Sequence, residues 1–279
     1  KQMLKDEGIN IPMVTTLHGT DITLVGKHPF YKTAVCFSIN KSDVVTSVSQ
    51  SLKDDTYKHF DINKEIHVIP NFIELEKHRN EPLISCQRSV MAEKHESIIT
   101  HISNFRKVKR IPDVVKIFFK IQQQIPAKLM MVGDGPEREI AERMCEELGI
   151  QDKVIFFGNS NEIDQILSYS DLFLLPSETE SFGLAALEAM AWSVPVISSN
   201  SGGLPEVNFD GVSGYLSNVG DVDEMAENAI KILSNIDTLN TFKENALSVA
   251  KQFDIKNILP IYEEIYHKAI EKSKQINLS

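Results

Sequence analysis

Two glutamates with seven residues between them stand in the segment SETESFGLAALEAMA. Glu180 belongs to a polar turn, whereas Glu188 lies on a helix. We expect that helix to bury an apolar stripe, Leu184, Leu187 and Ala191. Carboxylates only accept hydrogen bonds, so Glu188 suits a diol such as a ribose and Glu180 the hydroxyls of a second sugar. A rise of ~1.5 Å per residue would set them ~12 Å apart. That is about the distance from a nucleoside, across a diphosphate, to the sugar attached to it. The alternative for Glu188 is a partly buried carboxylate that a neighbouring backbone N–H satisfies.

The turn between the two glutamates is a candidate anion site. An apolar strand over Leu172–Pro176 comes before it and a helix over Gly183–Trp192 comes after it. The start of a helix presents N–H groups and the positive end of the helix dipole, which attract phosphate. Because Gly183 has no side chain, a ligand can approach the backbone there.

A second candidate anion site is a cationic run that follows another apolar strand. Arg106, Lys107, Lys109 and Arg110 fall within five positions, in a chain whose formal net charge is −10. At the end of a strand these cations would make a site for which phosphate is the fitting ligand. The alternative is a solvated, charged surface.

Three further loops follow apolar strands. His18 and Thr20 lie in Leu17–Asp21, which either contacts a ligand or forms a capped turn. Gly133 allows close approach of a ligand to the backbone, although a lone Gly-x-Gly is weak evidence for a site. The small residues of 198–206 form either a ligand loop or a connector.

The composition argues against several classes of protein. The negative net charge argues against a nucleic-acid binder, and no apolar run approaches the ~18 residues of a membrane span. The three cysteines, Cys36, Cys86 and Cys145, are unpatterned, which fits free thiols in a reducing cytoplasm. Asp221–Asp223 opens a helix and is interpreted as a cap, not as a metal site. No metal and no cofactor are predicted.

Short apolar runs alternate with amphipathic stretches along the chain, which predicts parallel strands covered on both faces by helices. The predicted strands are Pro12–Leu17, Asp43–Val48, Ile66–Pro70, Ile98–Ser103, Lys128–Val132, Val154–Phe157, Leu172–Pro176 and Val194–Ser198. The polar stretch 72–97 is interpreted as a linker with a short helix near Cys86–Ala92. Three long helices are predicted over 221–234, 238–252 and 255–274.

These elements predict an α/β fold with two domains, over 1–75 and 76–254, and a final helix over 255–279. The first domain offers about three strands, fewer than a doubly wound domain needs, so we expect it to be truncated at its N-terminus. Ligands of such folds bind at the carboxyl ends of the strands. We therefore expect the site in a cleft between the two domains.

The segment ETESFGLAALEAM resembles the Glu-x7-Glu signature of the family 4 retaining glycosyltransferases. VGDGPERE, FFGNSNEID and SNSGGLPEV also stand where that family has them, and the resemblance covers essentially the whole chain. It implies a GT-B fold, in which two Rossmann-like domains with parallel sheets face each other across a cleft. It also implies that the last helix crosses back onto the first domain.

The resemblance also implies roles for single residues. Arg106 and Lys109 resemble the family's diphosphate-binding pair, but the loop between them is two residues shorter, which leaves Lys109 and Arg110 as alternatives. His18 matches a histidine that contacts the transferred sugar, and Thr20 lies where an acceptor carboxylate would bind. The predicted catalytic residues are His18, Arg106, Lys109 and Glu180. The predicted donor-binding residues are Gly133, Ser181, Phe182, Gly183, Leu184 and Glu188.

The segments TTLHGTDITLVG and ISNFRKVKR resemble a branch of the family that acts in bacillithiol biosynthesis. This resemblance implies UDP-N-acetylglucosamine as donor, L-malate as acceptor and front-face attack without a divalent metal. Three alternatives stay open: a UDP-sugar 2-epimerase, a transferase with another donor or acceptor, and a nucleotide-sugar-binding remnant without activity. Family relatives are often dimers, but no patch in the sequence decides whether this chain forms a homodimer.

Overall fold

The computed structural model describes residues 1–20, 22–23, 28–80 and 88–276. Asp21, in the first candidate loop, and Cys86, in the predicted linker, lie outside this part of the chain. The chain divides into two compact units, Lys1–Phe72 together with Phe253–Ser279, and Ile73–Gln252. Across the described ranges, no helix combines the length and the apolar character that a membrane crossing requires.

The first unit is built on three parallel strands in the order β1-β2-β3. They are β1 (Val14–Leu17), β2 (Val44–Ser47) and β3 (Ile66–Val68). Its helices are α1 (Gln2–Asp6), α2 (Pro29–Lys41), α3 (Gln50–His59) and α12 (Ile255–Ile276). Ile258, Ile265 and Ala269 recur at helical spacing on α12 and pack against Val44 and Ile69. The apolar face of α12 therefore covers the sheet of this unit.

The second unit is built on six parallel strands in the order β6-β5-β4-β7-β8-β9. The strands are β4 (Ser97–Ile102), β5 (Ala127–Val132), β6 (Val154–Gly158), β7 (Leu172–Leu175), β8 (Val196–Ser199) and β9 (Gly214–Ser217). Its helices are α4 (Leu75–Asn80), α5 (Arg88–Met91), α6 (Ile111–Gln122), α7 (Arg138–Glu147), α8 (Ile163–Ser168), α9 (Leu184–Ala191), α10 (Val222–Leu233) and α11 (Ile236–Ala250). The strand order reverses between β4 and β7, and such a reversal opens a crevice at the carboxyl ends of the strands.

The predicted strands form, each within two residues of its predicted ends. Most side chains of β4, β5, β7 and β8 are buried, because helices cover both faces of the larger sheet, whereas those of β1 and β6 are mostly half-buried. The apolar pattern does not predict β9, whose four residues include only two large apolar side chains. Gly214 begins this strand so close to β8 that a Cβ there would lie 1.7 Å from the Val196 carbonyl oxygen. Packing against β8, rather than local pattern, defines β9.

The Asp221–Asp223 segment begins α10. The Asp221 side chain accepts a hydrogen bond from the Glu224 backbone N–H at 3.1 Å, which confirms the interpretation as a helix cap. Asp223 pairs with Lys120 of α6 at 2.7 Å. Among the residues that the structure describes, no group of His, Cys, Asp or Glu converges as metal ligands would.

Asp171 is a buried carboxylate just before β7 that ties four segments together. It accepts hydrogen bonds from Arg88 Nη2 at 2.8 Å, from the Ile98 backbone N–H at 3.0 Å and from Lys243 Nζ at 2.8 Å. Burial alone would favour the protonated acid. The charge and hydrogen bond of Lys243, helped by Ile98 and Arg88, outweigh burial and hold the pKa of Asp171 below its usual value.

Replacing Asp171 by asparagine is expected to lower the free energy of unfolding by about 3 kcal/mol, because the change leaves two cations without their buried counter-charge. Urea denaturation at neutral pH measures this loss. The control is Asp237→Asn, an exposed aspartate on α11, for which we expect a change of about 0.5 kcal/mol or less. Equal losses in the two variants would contradict the stabilising role of Asp171.

Candidate active site

The loop after β4 is anchored in the core of the second unit and carries two exposed and two half-buried cations. Phe105 is fully buried in the hydrophobic core, whereas Arg106 is exposed. Lys107–Lys109 form one 3₁₀ turn, and Arg110 follows in the left-handed region at φ 52°. The buried Phe105 ring therefore anchors the start of the loop that carries the cationic side chains.

The loop after β7 carries Glu180 and leads directly into α9. Gly183 stands just before the helix at φ 99°, a conformation that favours glycine. Our expectation that α9 buries Leu184 is wrong, since this side chain is 43% exposed, whereas Leu187 and Ala191 are buried. As the first helical residue, Leu184 lies at the exposed end of the helix, next to the predicted anion site. Glu188 lies one turn further on and is half-buried.

The two loops meet through Lys109 and Glu180. Lys109 Nζ lies 2.5 Å from Glu180 Oε1, and the Ser177 hydroxyl donates to the same oxygen at 2.8 Å. The Glu178 backbone N–H also donates to the Val108 carbonyl at 2.8 Å. Because Oε1 already has two donors, Oε2 is the oxygen of Glu180 best placed to accept further hydrogen bonds.

Lys109 and Arg110, the two alternative cations of the loop, have different partners in the structure. Lys109 pairs with Glu180, with side chains 20% and 15% exposed. Arg110 instead pairs with Asp113 through Nε at 2.5 Å and lies against Gly220, where a Cβ would be 3.0 Å from Nη2. Among the described residues, none forms an ion pair with Arg106. The structure thus brings Lys109, and not Arg110, to Glu180.

The loop after β8 supports the Glu180 loop from behind. Gly203 N–H donates to the Glu180 carbonyl at 2.7 Å, and the Ser201 hydroxyl donates to the Glu178 carbonyl at 2.8 Å. At Gly202 a Cβ would lie 2.0 Å from the Glu180 carbonyl oxygen. The glycines of this loop are therefore required by a close approach of two backbones, and the loop acts as a support for the candidate site.

Gly133 directly follows β5 and lies against the loop after β4. Its φ is 119°, and a Cβ at this position would lie 1.8 Å from the Ser103 carbonyl oxygen. A cavity of about 220 Å³ opens at the carboxyl ends of β4, β5 and β6. It is lined by Ile102, Ser103, Asn104, Val132, Gly133, Asn159, Ser160 and Ile163. Gly133 thus borders a cavity next to the cationic loop.

His101 is buried in β4, one residue before that strand ends at Ile102. Its Nδ1 lies 2.8 Å from the Leu174 carbonyl of β7, and its Nε2 lies 2.8 Å from the Ser103 hydroxyl. Burial lowers the pKa of His101 to about 4; the Leu174 carbonyl opposes this shift and the charge of Lys109 adds to it. Since a carbonyl only accepts, Nδ1 of the neutral ring carries the proton and Nε2 accepts from Ser103.

This burial predicts a pH dependence of stability. A histidine whose pKa is about 4 when folded and 6.5 when unfolded stabilises the fold fully above pH 6.5 and loses that contribution as the pH falls towards 4. We expect His101 to account for a loss of roughly 2–3 kcal/mol between pH 7.5 and about pH 4.5. Urea denaturation at both pH values measures it.

His101→Asn is the matched variant for this measurement. The asparagine amide can donate to the Leu174 carbonyl but does not titrate, so the variant should lack this part of the pH dependence. The same change in unfolding free energy between the two pH values in wild type and variant would contradict the assignment.

His18 and Thr20 belong to the first unit. Both are exposed at the end of β1, and Gly19 between them is buried at φ 128°. The Gly19 carbonyl accepts from the backbone N–H groups of Ile22 and Thr23, at 2.8 and 2.7 Å. A tight turn thus follows β1 and displays both predicted side chains to solvent.

Two polar residues of the site were missed by the sequence analysis. Ser177 follows an apolar strand directly, as strand-end site residues often do, and this position was the available signal. His101 interrupts an otherwise apolar strand, and a buried polar group needs a hydrogen-bond partner. The partner is the Leu174 carbonyl of β7, so the role of a histidine in this strand could be interpreted only once the strand order was known.

The family comparisons agree with this architecture. A family model described as "Glycosyl transferases group 1" matches residues 87–249, and one described as "Glycosyltransferase Family 4" matches residues 3–77. Together with the two parallel-sheet units, these matches define a glycosyltransferase. The chain belongs to the group 1, family 4 glycosyltransferases.

A curated relative extends the match over nearly the whole chain. The N-acetyl-alpha-D-glucosaminyl L-malate synthase of Bacillus anthracis is 42% identical over 275 residues, which cover 98% of this chain and 71% of that protein. An uncharacterised glycosyltransferase of Methanocaldococcus jannaschii is 29% identical over 80% of this chain and 60% of its own length.

Solved structures show the same fold at lower identity. Anabaena HepE in complex with UDP and glucose has a TM-score of 0.81 at 22% identity, over 91% of this chain and 71% of that one. Sucrose-phosphate synthase from Thermosynechococcus elongatus has a TM-score of 0.83 at 21% identity, over 97% and 71%. Both are GT-B folds, which confirms the predicted fold class.

Proposed function

We propose that this glycosyltransferase moves N-acetylglucosamine from UDP-N-acetylglucosamine to the hydroxyl of L-malate, with retention of the anomeric configuration. The observation that carries the proposal is the 42% identity to the Bacillus anthracis malate synthase over 98% of the chain. The reaction would be the first step of bacillithiol biosynthesis and would take place in the cytoplasm. The site described above offers the groups that such a reaction requires.

The donor would lie along the loop after β7 and the start of α9. In this proposal Glu188 accepts hydrogen bonds from the ribose, and the backbone of Ser181, Phe182, Gly183 and Leu184 lies along the diphosphate. Arg106 and Lys109 add positive charge from the neighbouring loop, and Gly133 allows close approach beside the cavity. Glu180 would bind hydroxyls of the sugar through Oε2, since Oε1 is held by Lys109 and Ser177.

The remaining roles rest on the family resemblance. His18 would contact outer hydroxyls of the transferred sugar, and Thr20 would hydrogen-bond a carboxylate of the acceptor. Both side chains are exposed at the end of β1 and available for such contacts.

Retention would follow because the malate hydroxyl attacks the anomeric carbon on the same face from which the diphosphate departs. The malate hydroxyl oxygen forms a bond to the anomeric carbon while the bond from that carbon to the diphosphate oxygen breaks. The hydroxyl proton passes to an oxygen of the departing diphosphate. Arg106, Lys109 and the start of α9 would stabilise the negative charge that develops on UDP, which is the role a divalent cation plays in other transferases.

Incubating the protein with UDP-N-acetylglucosamine tests the proposal, with and without L-malate and with EDTA present. We expect UDP release together with a glucosaminyl-malate mass, only when malate is added, and an α-anomeric signal in the proton NMR spectrum. Turnover of the donor without malate would point instead to the 2-epimerase. UDP release with a different acceptor would still support a glycosyltransferase, but one whose acceptor is not L-malate.

Glu188→Gln is expected to raise the donor KM about tenfold and to leave the malate KM unchanged, because a charged acceptor for the ribose hydroxyls is replaced by a neutral amide. Steady-state kinetics with each substrate varied in turn measures both constants. The control is Glu178→Gln, which makes the same chemical change at an exposed position of the preceding loop. A donor KM that is unchanged in Glu188→Gln would contradict the ribose assignment.

A further inference from the structure

The two loops that carry the donor site leave neighbouring strands, and their relative position must be fixed inside the sheet. The loop with Arg106 and Lys109 leaves β4, and the loop with Glu180 leaves β7. Direct backbone pairing of the two strands involves Ile99 with Leu172 and Thr100 with Phe173. The backbone pairing of β4 with β7 ends there, before either strand reaches its loop.

His101 lies where that pairing ends. It donates from Nδ1 to the Leu174 carbonyl of β7 and accepts at Nε2 from Ser103, which is the first residue of the cationic loop. The bond to Leu174 therefore links β4 to β7 just beyond the backbone pairing, and the bond to Ser103 connects the same buried side chain to the start of the cationic loop. Its ring also lies 6.1 Å from that of Phe105, the buried anchor of the same loop.

We propose that His101 is a positioning residue of the donor site, which acts through Ser103 to hold the start of the Arg106–Lys109 loop in place relative to the Glu180 loop. The inference rests on the proposed function, because it assumes that these loops bind the UDP part of the donor. His101 does not itself touch the ligand, as it is fully buried.

The protonation state of His101 suits this role. The neutral ring has one donor and one acceptor, and both are used, so no polar atom of the ring is left without a partner. The Ser103 hydroxyl proton is committed to Nε2. Ser103 also lines the cavity beside Gly133, and its carbonyl is the atom that Gly133 approaches most closely. Moving Ser103 would therefore disturb the cationic loop and the loop after β5 together.

Two single variants and their combination test the inference. His101→Asn keeps a donor for the Leu174 carbonyl but is too short to reach Ser103, and Ser103→Ala removes the hydroxyl while leaving His101 in place. We expect each variant to weaken binding of UDP about tenfold, measured by isothermal titration calorimetry. Because both break the same contact, the double variant should bind UDP no more weakly than either single variant.

The readouts separate positioning from simple loss of stability. UDP affinity is measured well below the melting temperature of each variant, and the donor KM should rise while the malate KM stays unchanged. UDP affinities equal to wild type, or losses that add in the double variant, would overturn the role of His101. If the wild-type protein itself does not bind UDP, the proposed function fails together with this inference.

Discussion

Replacing Lys109 by methionine is expected to lower kcat/KM for the donor by about 10²- to 10³-fold. Lys109 is the half-buried cation of the site, with Nζ 2.5 Å from Glu180 Oε1. Its removal takes positive charge from the position where the departing diphosphate would become more negative, and groups of this kind contribute on that scale. It also leaves the Glu180 carboxylate without its counter-charge, so the position of Oε2 is less well defined.

Two comparison variants make this result specific. Lys107→Met removes the same charge from an exposed position of the same 3₁₀ turn, and we expect less than about a threefold effect. Arg110→Met tests the alternative cation, which pairs with Asp113. A large loss in Arg110→Met with little loss in Lys109→Met would show that the sequence alternative, Arg110, binds the diphosphate.

Replacing Gly202 by alanine is expected to reduce kcat/KM at least about 100-fold. The new Cβ would lie 2.0 Å from the Glu180 carbonyl oxygen, so one of the two backbones must move. A displacement of about 1 Å at a residue that positions substrate can cost that much rate. The melting temperature should also fall, because the support that Gly203 and Ser201 give to the Glu180 loop is disturbed.

Gly211→Ala is the matched control. Gly202 and Gly211 have similar backbone conformations, with φ 59° and 69°, but a Cβ at Gly211 would have nothing within 4 Å. Both variants therefore incur the strain of a left-handed alanine, about 1 kcal/mol, and only Gly202→Ala adds the collision. We expect Gly211→Ala to keep its activity. Similar kinetics in the two variants would show that the close approach at Gly202 does not position Glu180.

The fold class was predictable because parallel strands buried on both faces leave a local signature. Runs such as KLMMV and LFLLP are apolar without alternation, and each formed a strand within two residues of the predicted ends. The strand β9 lacks that signature and was missed, since its place depends on Gly214 fitting against Val196. The family signature around Glu180 and Glu188 is equally local and was sufficient to identify the family.

The arrangement of the candidate site was only partly predictable. The sequence indicated cations at the end of β4 and glutamates after β7, but Lys109 and Glu180 are 71 residues apart and meet only because β4 and β7 are neighbours in the sheet. The same neighbourhood gives His101 its carbonyl partner. Leu184 is exposed because it is the first residue of α9. Helical periodicity predicts which residues share a face, but it does not predict where the helix begins relative to the sheet.

By itself, then, the sequence determined the three long C-terminal helices, most of the strands, the cap at Asp221 and the membership of a glycosyltransferase family. These features depend on side-chain periodicity and on contacts within a few residues, which the order of amino acids records directly. The tertiary structure decided that Lys109 rather than Arg110 meets Glu180, that Ser177 holds the same carboxylate oxygen and that His101 joins two strands. Those contacts arise from the order in which the strands pair, and that order is set by the packing of the whole unit.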